Sequence, residues 1–240
     1  MANYTSGSLA VYKNDENGIP MTMTDFVEHK GKGINPVRQE GPHVHFCRVR
    51  EDMVFVVDLG LDKVFLYKID TENGTVTDTG KFLEFPKGSG PRHLEFDPKR
   101  PEIVYAVCEL ESKAAVFREE NGRYELKQHI STLPESFKET NIAAAIRYQN
   151  HHLFVSNRGH DSIAMFRVGE DGLLTPTDIK KTGGKTPRDF AIMGDHLVAA
   201  NQDSDLLTVL KINWAEGKME QTGISAEHVR PTCVEIVNMP

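Results

Sequence analysis

"SNRGHDSIAMF", residues 156–166, sets an arginine, a histidine and an aspartate between two apolar runs, and "ANQDSDLLTVL" at 200–210 repeats the arrangement with a glutamine in place of the arginine. Three more copies stand in the chain: "ANYTSGSLAVY" (2–12), "VDLGLDKVFLY" (57–67) and "VCELESKAAVF" (107–117). They recur every 44 to 55 residues. Such a period marks a repeat architecture. A second column lies upstream of four of the corners: "GPHVHFCRV" (41–49), "GPRHLEFDP" (90–98), "TNIAAAIRY" (140–148) and "TPRDFAIMG" (186–194). A fifth copy, "RPTCVEIVN" (230–238), follows the last corner.

Each unit reads as four short strands. In 92–131 these are "RHLEF", "IVYAVCE", "KAAVFRE" and "YELKQHIS", divided by "DPKRP", "ES" and "ENG". Short runs rich in Val, Ile, Phe and Tyr between Gly, Asn, Asp and Pro are strand signals. The turns "TENGT", "EENGR" and "GEDGL" carry the Asn-Gly or Asp-Gly pairs that supply positive φ to tight hairpins. No window holds a helical period, and "LPESFKETN" (133–141) makes one short turn at most. Four-stranded units at this spacing predict an all-β chain, a single β-propeller domain over 1–240. The count predicts twenty strands in five blades. The closing blade is expected to join the N-terminal strands to a C-terminal strand, "TCVEIV", which would cover the exposed sheet edge.

Composition excludes several classes. The 240 residues are 39% hydrophobic, enough for a core, with a net charge of −7 and scattered Lys and Arg. That pattern speaks against nucleic acid as a partner. No apolar run is long enough for a spanning helix, and the start lacks a signal peptide's regions, so a cytoplasmic chain away from membranes is expected. Cys47, Cys108 and Cys233 lie in strand-like runs without paired spacing and are expected to be buried thiols.

Taken together, "GPHVHF", "VVDLGLDKVFLYKID", "GPRHLEFDP", "VSNRGHDSIAMF" and "TPRDFAI" resemble the lactonase propeller family over nearly the whole chain. The relatives are longer, so the chain is expected to be shortened. Either it closes as five blades, or a second copy completes it as a homodimer or larger self-association. The resemblance implies hydrolysis of a small anionic sugar lactone, 6-phosphogluconolactone first, in the pentose phosphate branch of glucose metabolism. It implies a metal-free site and no cofactor. A muconate-type cyclising enzyme and a non-catalytic propeller scaffold are the alternatives.

In a propeller, equivalent positions converge near the axis, so the two columns pick out the candidate residues. Upstream, His45, Arg92 and Arg188 are equivalent; at the corners, Tyr4, Leu59, Glu109, Arg158 and Gln202 are. His45 reads as a general base or acid, as a structural histidine, or with His43 as an H-x-H metal pair. Arg92 and Arg158, flanked by turn residues, read as guanidinium clamps for an anion or oxyanion, or as ties for loop carbonyls. Glu109 orients the histidine, acts as a base or pairs with an arginine. The family resemblance places the proposed active-site group of the cyclising relatives on His45, Arg92, Glu109 and Arg158. His43, Asn157, Arg188 and Gln202 complete the expected substrate-binding set, with Arg188 either reaching substrate or pairing with Asp189. Asp58 and Asp62 are expected to cap turns and pair with Lys63. No G-x-S-x-G elbow is present, so a serine nucleophile has no support.

Overall fold

The computed structural model describes residues 1–237. It is all-β: nineteen strands and one 3-10 turn, Gln202–Ser204, among the described residues. Five antiparallel meanders follow chain order, the blades of a β-propeller. The first holds β1 (Ala2–Asn3), β2 (Ser8–Asn14) and β3 (Pro20–Glu28); the second holds β4 (Val44–Arg50), β5 (Met53–Asp58), β6 (Lys63–Asp70) and β7 (Thr75–Glu84). The third is β8 (Pro91–Phe96), β9 (Ile103–Cys108), β10 (Lys113–Glu120) and β11 (Arg123–Ser131). The fourth is β12 (Ile142–Gln149), β13 (His152–Arg158), β14 (Ser162–Val168) and β15 (Leu174–Lys181). The fifth is β16 (Pro187–Met193), β17 (His196–Asn201), β18 (Leu206–Asn213) and β19 (Lys218–Glu227). The chain divides into two compact units, residues 1–94 with 117–126 and residues 95–116 with 127–237.

The apolar runs look continuous because inner strands are buried on both faces. Along β13, Leu153 and Val155 enter one core with Tyr105 and Phe166, while Phe154 between them enters another with Met165 and Phe190. In the first unit, Leu9, Val44, Val54, Val56 and Tyr67 form the corresponding cluster.

The corners repeat in atomic detail. Gly7, Asp62, Ser112, Asp161 and Asp205 all take positive φ, between 50° and 60°. Each lies just before the next-to-last strand of its sheet. Its carbonyl then accepts the amide of the residue that follows the last strand: His29, Phe85, Thr132, Thr182 and His228, at 2.9–3.0 Å. For Gly7 the glycine is required twice over, since a Cβ there would lie 2.5 Å from Pro42.

Two expectations need correction. Residues 231–237 form no strand, and the N-terminal sheet keeps three. Its edge strand β1 is two residues long, too short to receive "TCVEIV"; the Val234 amide instead donates to Asp189 Oδ2 at 3.1 Å. The cysteines also differ: Cys108 is buried, Cys47 is half-buried and Cys233 is exposed, because the segment carrying Cys233 is not a strand.

Candidate active site

The upstream column acquires its geometry from irregular pairing. In β4–β5, Val44 faces Asp58 and Phe46 faces Val57, leaving His45 as an extra residue. Arg188 is the extra residue at the same place in β16–β17, between the pairs Pro187–Asn201 and Asp189–Ala200. Such bulges re-aim a side chain out of the strand's alternation.

In the first unit, His45 sits in an aromatic group. Its ring stands edge-on to Tyr4, centroids 5.5 Å apart, and edge-on to His93 at 5.2 Å. Arg92 is buried, with Nη1 3.0 Å from His93 Nε2 and 3.2 Å from His93 Nδ1. His43 stacks face-on against Tyr4: its ring lies 4.5 Å from that of Tyr4 at an interplanar angle of 12°. His43 Nδ1 is 3.1 Å from the Tyr4 carbonyl and Nε2 is 3.1 Å from Glu40 Oε1. Both histidines therefore reach Tyr4; His43, expected to bind substrate, is buried with its two nitrogens facing protein acceptors.

Asp58 fixes this segment. Its Oδ1 accepts amides from His43, Gly60 and Leu61 at 2.8, 3.0 and 3.2 Å, and its Oδ2 lies 2.6 Å from His29 Nδ1. His29 Nε2 is 3.1 Å from the Tyr67 hydroxyl, and burial with the nearby Asp78 and Asp58 pushes that phenol up to about 12. Asp58 thus caps its turn as expected, while its side-chain partner is His29 rather than Lys63. Asp62 likewise accepts amides from Gly88 and Gly90 and the Gln39 side chain, and Lys63 pairs with Glu84 at 3.5 Å.

In the second unit, Glu109 and Arg158 come together. Arg158 Nη2 is 2.8 Å from Glu109 Oε2 and donates to the Ala143 carbonyl at 2.8 Å; both side chains are buried. Arg188 approaches Gln202 Oε1 at 3.4 Å, while Asp189 is taken by Arg147 at 2.8 Å, so the expected alternative of an Arg188–Asp189 pair is not formed. Asn157 is corrected. It is fully buried, accepting from the Thr132 hydroxyl at 2.7 Å and donating to the Thr132 carbonyl at 2.9 Å. Asn201 makes the matching bond with Thr182, 2.7 Å, so these amides lock blade corners. Beside Arg158, His160 is pushed down by burial and then by Lys181.

The sequence reading passed over Tyr4, Glu40 and His93 as chemistry. Tyr4 was in the corner column, and Glu40 and His93 adjoin "GPH" and "GPR"; adjacency to two Gly-Pro turns was the available signal. No group of three or more His, Cys, Asp or Glu among the described residues is arranged to hold a metal ion, and no helix there is long and apolar enough to cross a membrane.

Known proteins resemble the chain over nearly its whole length. The family described as "Lactonase, 7-bladed beta-propeller" matches residues 1–236. An uncharacterised protein of Staphylococcus saprophyticus is 36% identical over 98% of this chain and 70% of its own length. The 6-phosphogluconolactonase of Bacillus subtilis is 32% identical over 99% of this chain and 69% of its own. Among solved structures, the periplasmic gluconolactonase of Pseudomonas aeruginosa aligns at TM-score 0.92 with 31% identity, covering 100% of this chain and 69% of that one. A Lactobacillus plantarum protein aligns at TM-score 0.90 with 33% identity over 97% of this chain and 69% of that one. With a repeated corner, bulged His45 and Arg188, and a family pattern that matches from residue 1 to residue 236, the chain belongs to the lactonase β-propeller family.

Proposed function

We propose that the chain hydrolyses an anionic sugar lactone, with 6-phosphogluconolactone the first substrate to assay. The observation that carries the reading is the bulged, half-buried His45, held by ring contacts to Tyr4 and His93 with the Arg92 guanidinium against His93. Relatives named 6-phosphogluconolactonase and gluconolactonase support the substrate class.

The steps follow from these groups. A water oxygen attacks the lactone carbonyl carbon while His45 takes its proton. The carbonyl oxygen becomes an oxyanion, for which Arg92 supplies charged N–H donors. Collapse breaks the bond between that carbon and the ring oxygen, and the ring oxygen takes the proton from His45. The new carboxylic acid ionises in solvent, leaving a hydroxy acid. Glu109 and Arg158 remain in the proposal as a carboxylate–guanidinium pair whose effect on turnover is read separately in the second unit.

The test is lactone hydrolysis by the purified chain and its variants. His45→Ala and Arg92→Ala are each expected to lower kcat/KM by about 100-fold or more, as loss of a general base or an oxyanion donor does, with the far-UV spectrum of the fold retained. Unchanged rates in both folded variants reject the assignment.

A further inference from the structure

The two nitrogens of His43 both face groups that only accept. One is the Tyr4 carbonyl, the other the Glu40 carboxylate, each at 3.1 Å. A neutral imidazole carries a single N–H, so the two bonds exist together only on the imidazolium. His29 makes the contrast: its second partner is the Tyr67 hydroxyl, which can donate, so a neutral ring satisfies both sides.

The surroundings fit a charged ring. The Glu40 carboxyl is held below the usual carboxylate range by a main-chain N–H and then by the bond to His43, and so it is ionised near neutral pH. Asp58, which accepts the His43 main-chain amide at 2.8 Å, adds a second negative charge. Arg38, with Nη2 3.4 Å from the Tyr4 hydroxyl, acts in the opposite sense. The parallel stack on Tyr4 offers the ring's π face to the cation, and His45 meets the same Tyr4 ring edge-on.

We propose that Glu40 is a positioning residue that keeps His43 as a fixed imidazolium stacked on Tyr4, and so holds in place the ring that His45 meets edge-on. This rests on the lactonase reading above. Glu40→Gln removes the carboxylate and offers an amide that can donate to Nε2, so a neutral His43 then suffices.

Long-range proton–nitrogen spectra of the chain labelled in its histidines test the charge near neutral pH. The wild type is expected to show both His43 nitrogens protonated, E40Q to show one, and Glu40→Asp to restore two. In parallel, E40Q is expected to lower kcat on 6-phosphogluconolactone and on uncharged gluconolactone alike, with Glu40→Asp restoring it, because the Tyr4 ring beside His45 is then held less firmly. A neutral His43 in the wild type overturns the proposal without any variant, and so does an imidazolium that persists in E40Q. An unchanged kcat in E40Q overturns the link to His45. If the wild type turns over neither lactone, the hydrolase reading falls, and the spectra still decide for or against the Glu40–His43 pair.

Discussion

Asp58 shows what a single side chain does in this fold. A buried carboxylate is costly unless every lone pair finds a donor, and Asp58 has three amides and the His29 ring. Asp58→Ala would strand those buried donors together, so a loss of about 3 kcal/mol or more in unfolding free energy is expected, measured by chemical denaturation. The turn-capping role was legible in "VDLGLDK", because aspartate at a strand end routinely binds the next amides. Its histidine partner was not, since His29 lies 29 residues away and only the folded first blade delivers it. The same limit applies to Asn157. The repeat locates a polar residue at the corner, but whether its amide faces an opening or Thr132 depends on the next strand's path.

At the level of strands and turns, the repeat made almost everything readable. Short apolar runs, Asn-Gly and Asp-Gly turns and recurring corners gave the four-strand order of the second to fifth blades, and positions 62, 112, 161 and 205 carry polar residues suited to positive φ. The bulges at His45 and Arg188 were not visible, because an extra residue is defined only by what lies opposite. Nor was the fate of "TCVEIV", whose pattern suits a strand but whose intended edge holds two residues. Close packing behind the first strand gives a specific expectation for Gly60. A Cβ there would meet the Gly41 carbonyl at 2.0 Å and the His43 amide at 2.9 Å. Gly60→Ala is therefore expected to cost about 1–3 kcal/mol by overpacking and to lower lactone turnover by shifting the 41–43 segment. Thermal melts and rates on the same sample check it.

At the scale of the molecule, one buried and two half-buried histidines set an acid limit. His129, His152 and His160 are all pushed below their ordinary value, burial being the leading cause in each case. Their unfolded forms take up protons near pH ~6.5 while their folded forms do not. Stability from these groups is thus complete above that value and is lost as pH falls from it toward their folded pKa values. A denaturation midpoint that declines from neutral pH through this range, with a shallower decline in His152→Gln, is the expected result; a flat profile contradicts it.

The five carbonyl–amide contacts at the positive-φ corners have an evolutionary reading. Each joins two residues of the same sheet, from Gly7 with His29 to Asp205 with His228, and borrows nothing from another sheet. A gene segment encoding one such sheet brings its own fastening with it. Duplicating or deleting that segment leaves every remaining fastening intact, whereas a cut between its last two strands breaks one. The smallest self-fastened piece of each sheet is therefore its closing hairpin, and an insertion placed between sheets disturbs none of these clasps.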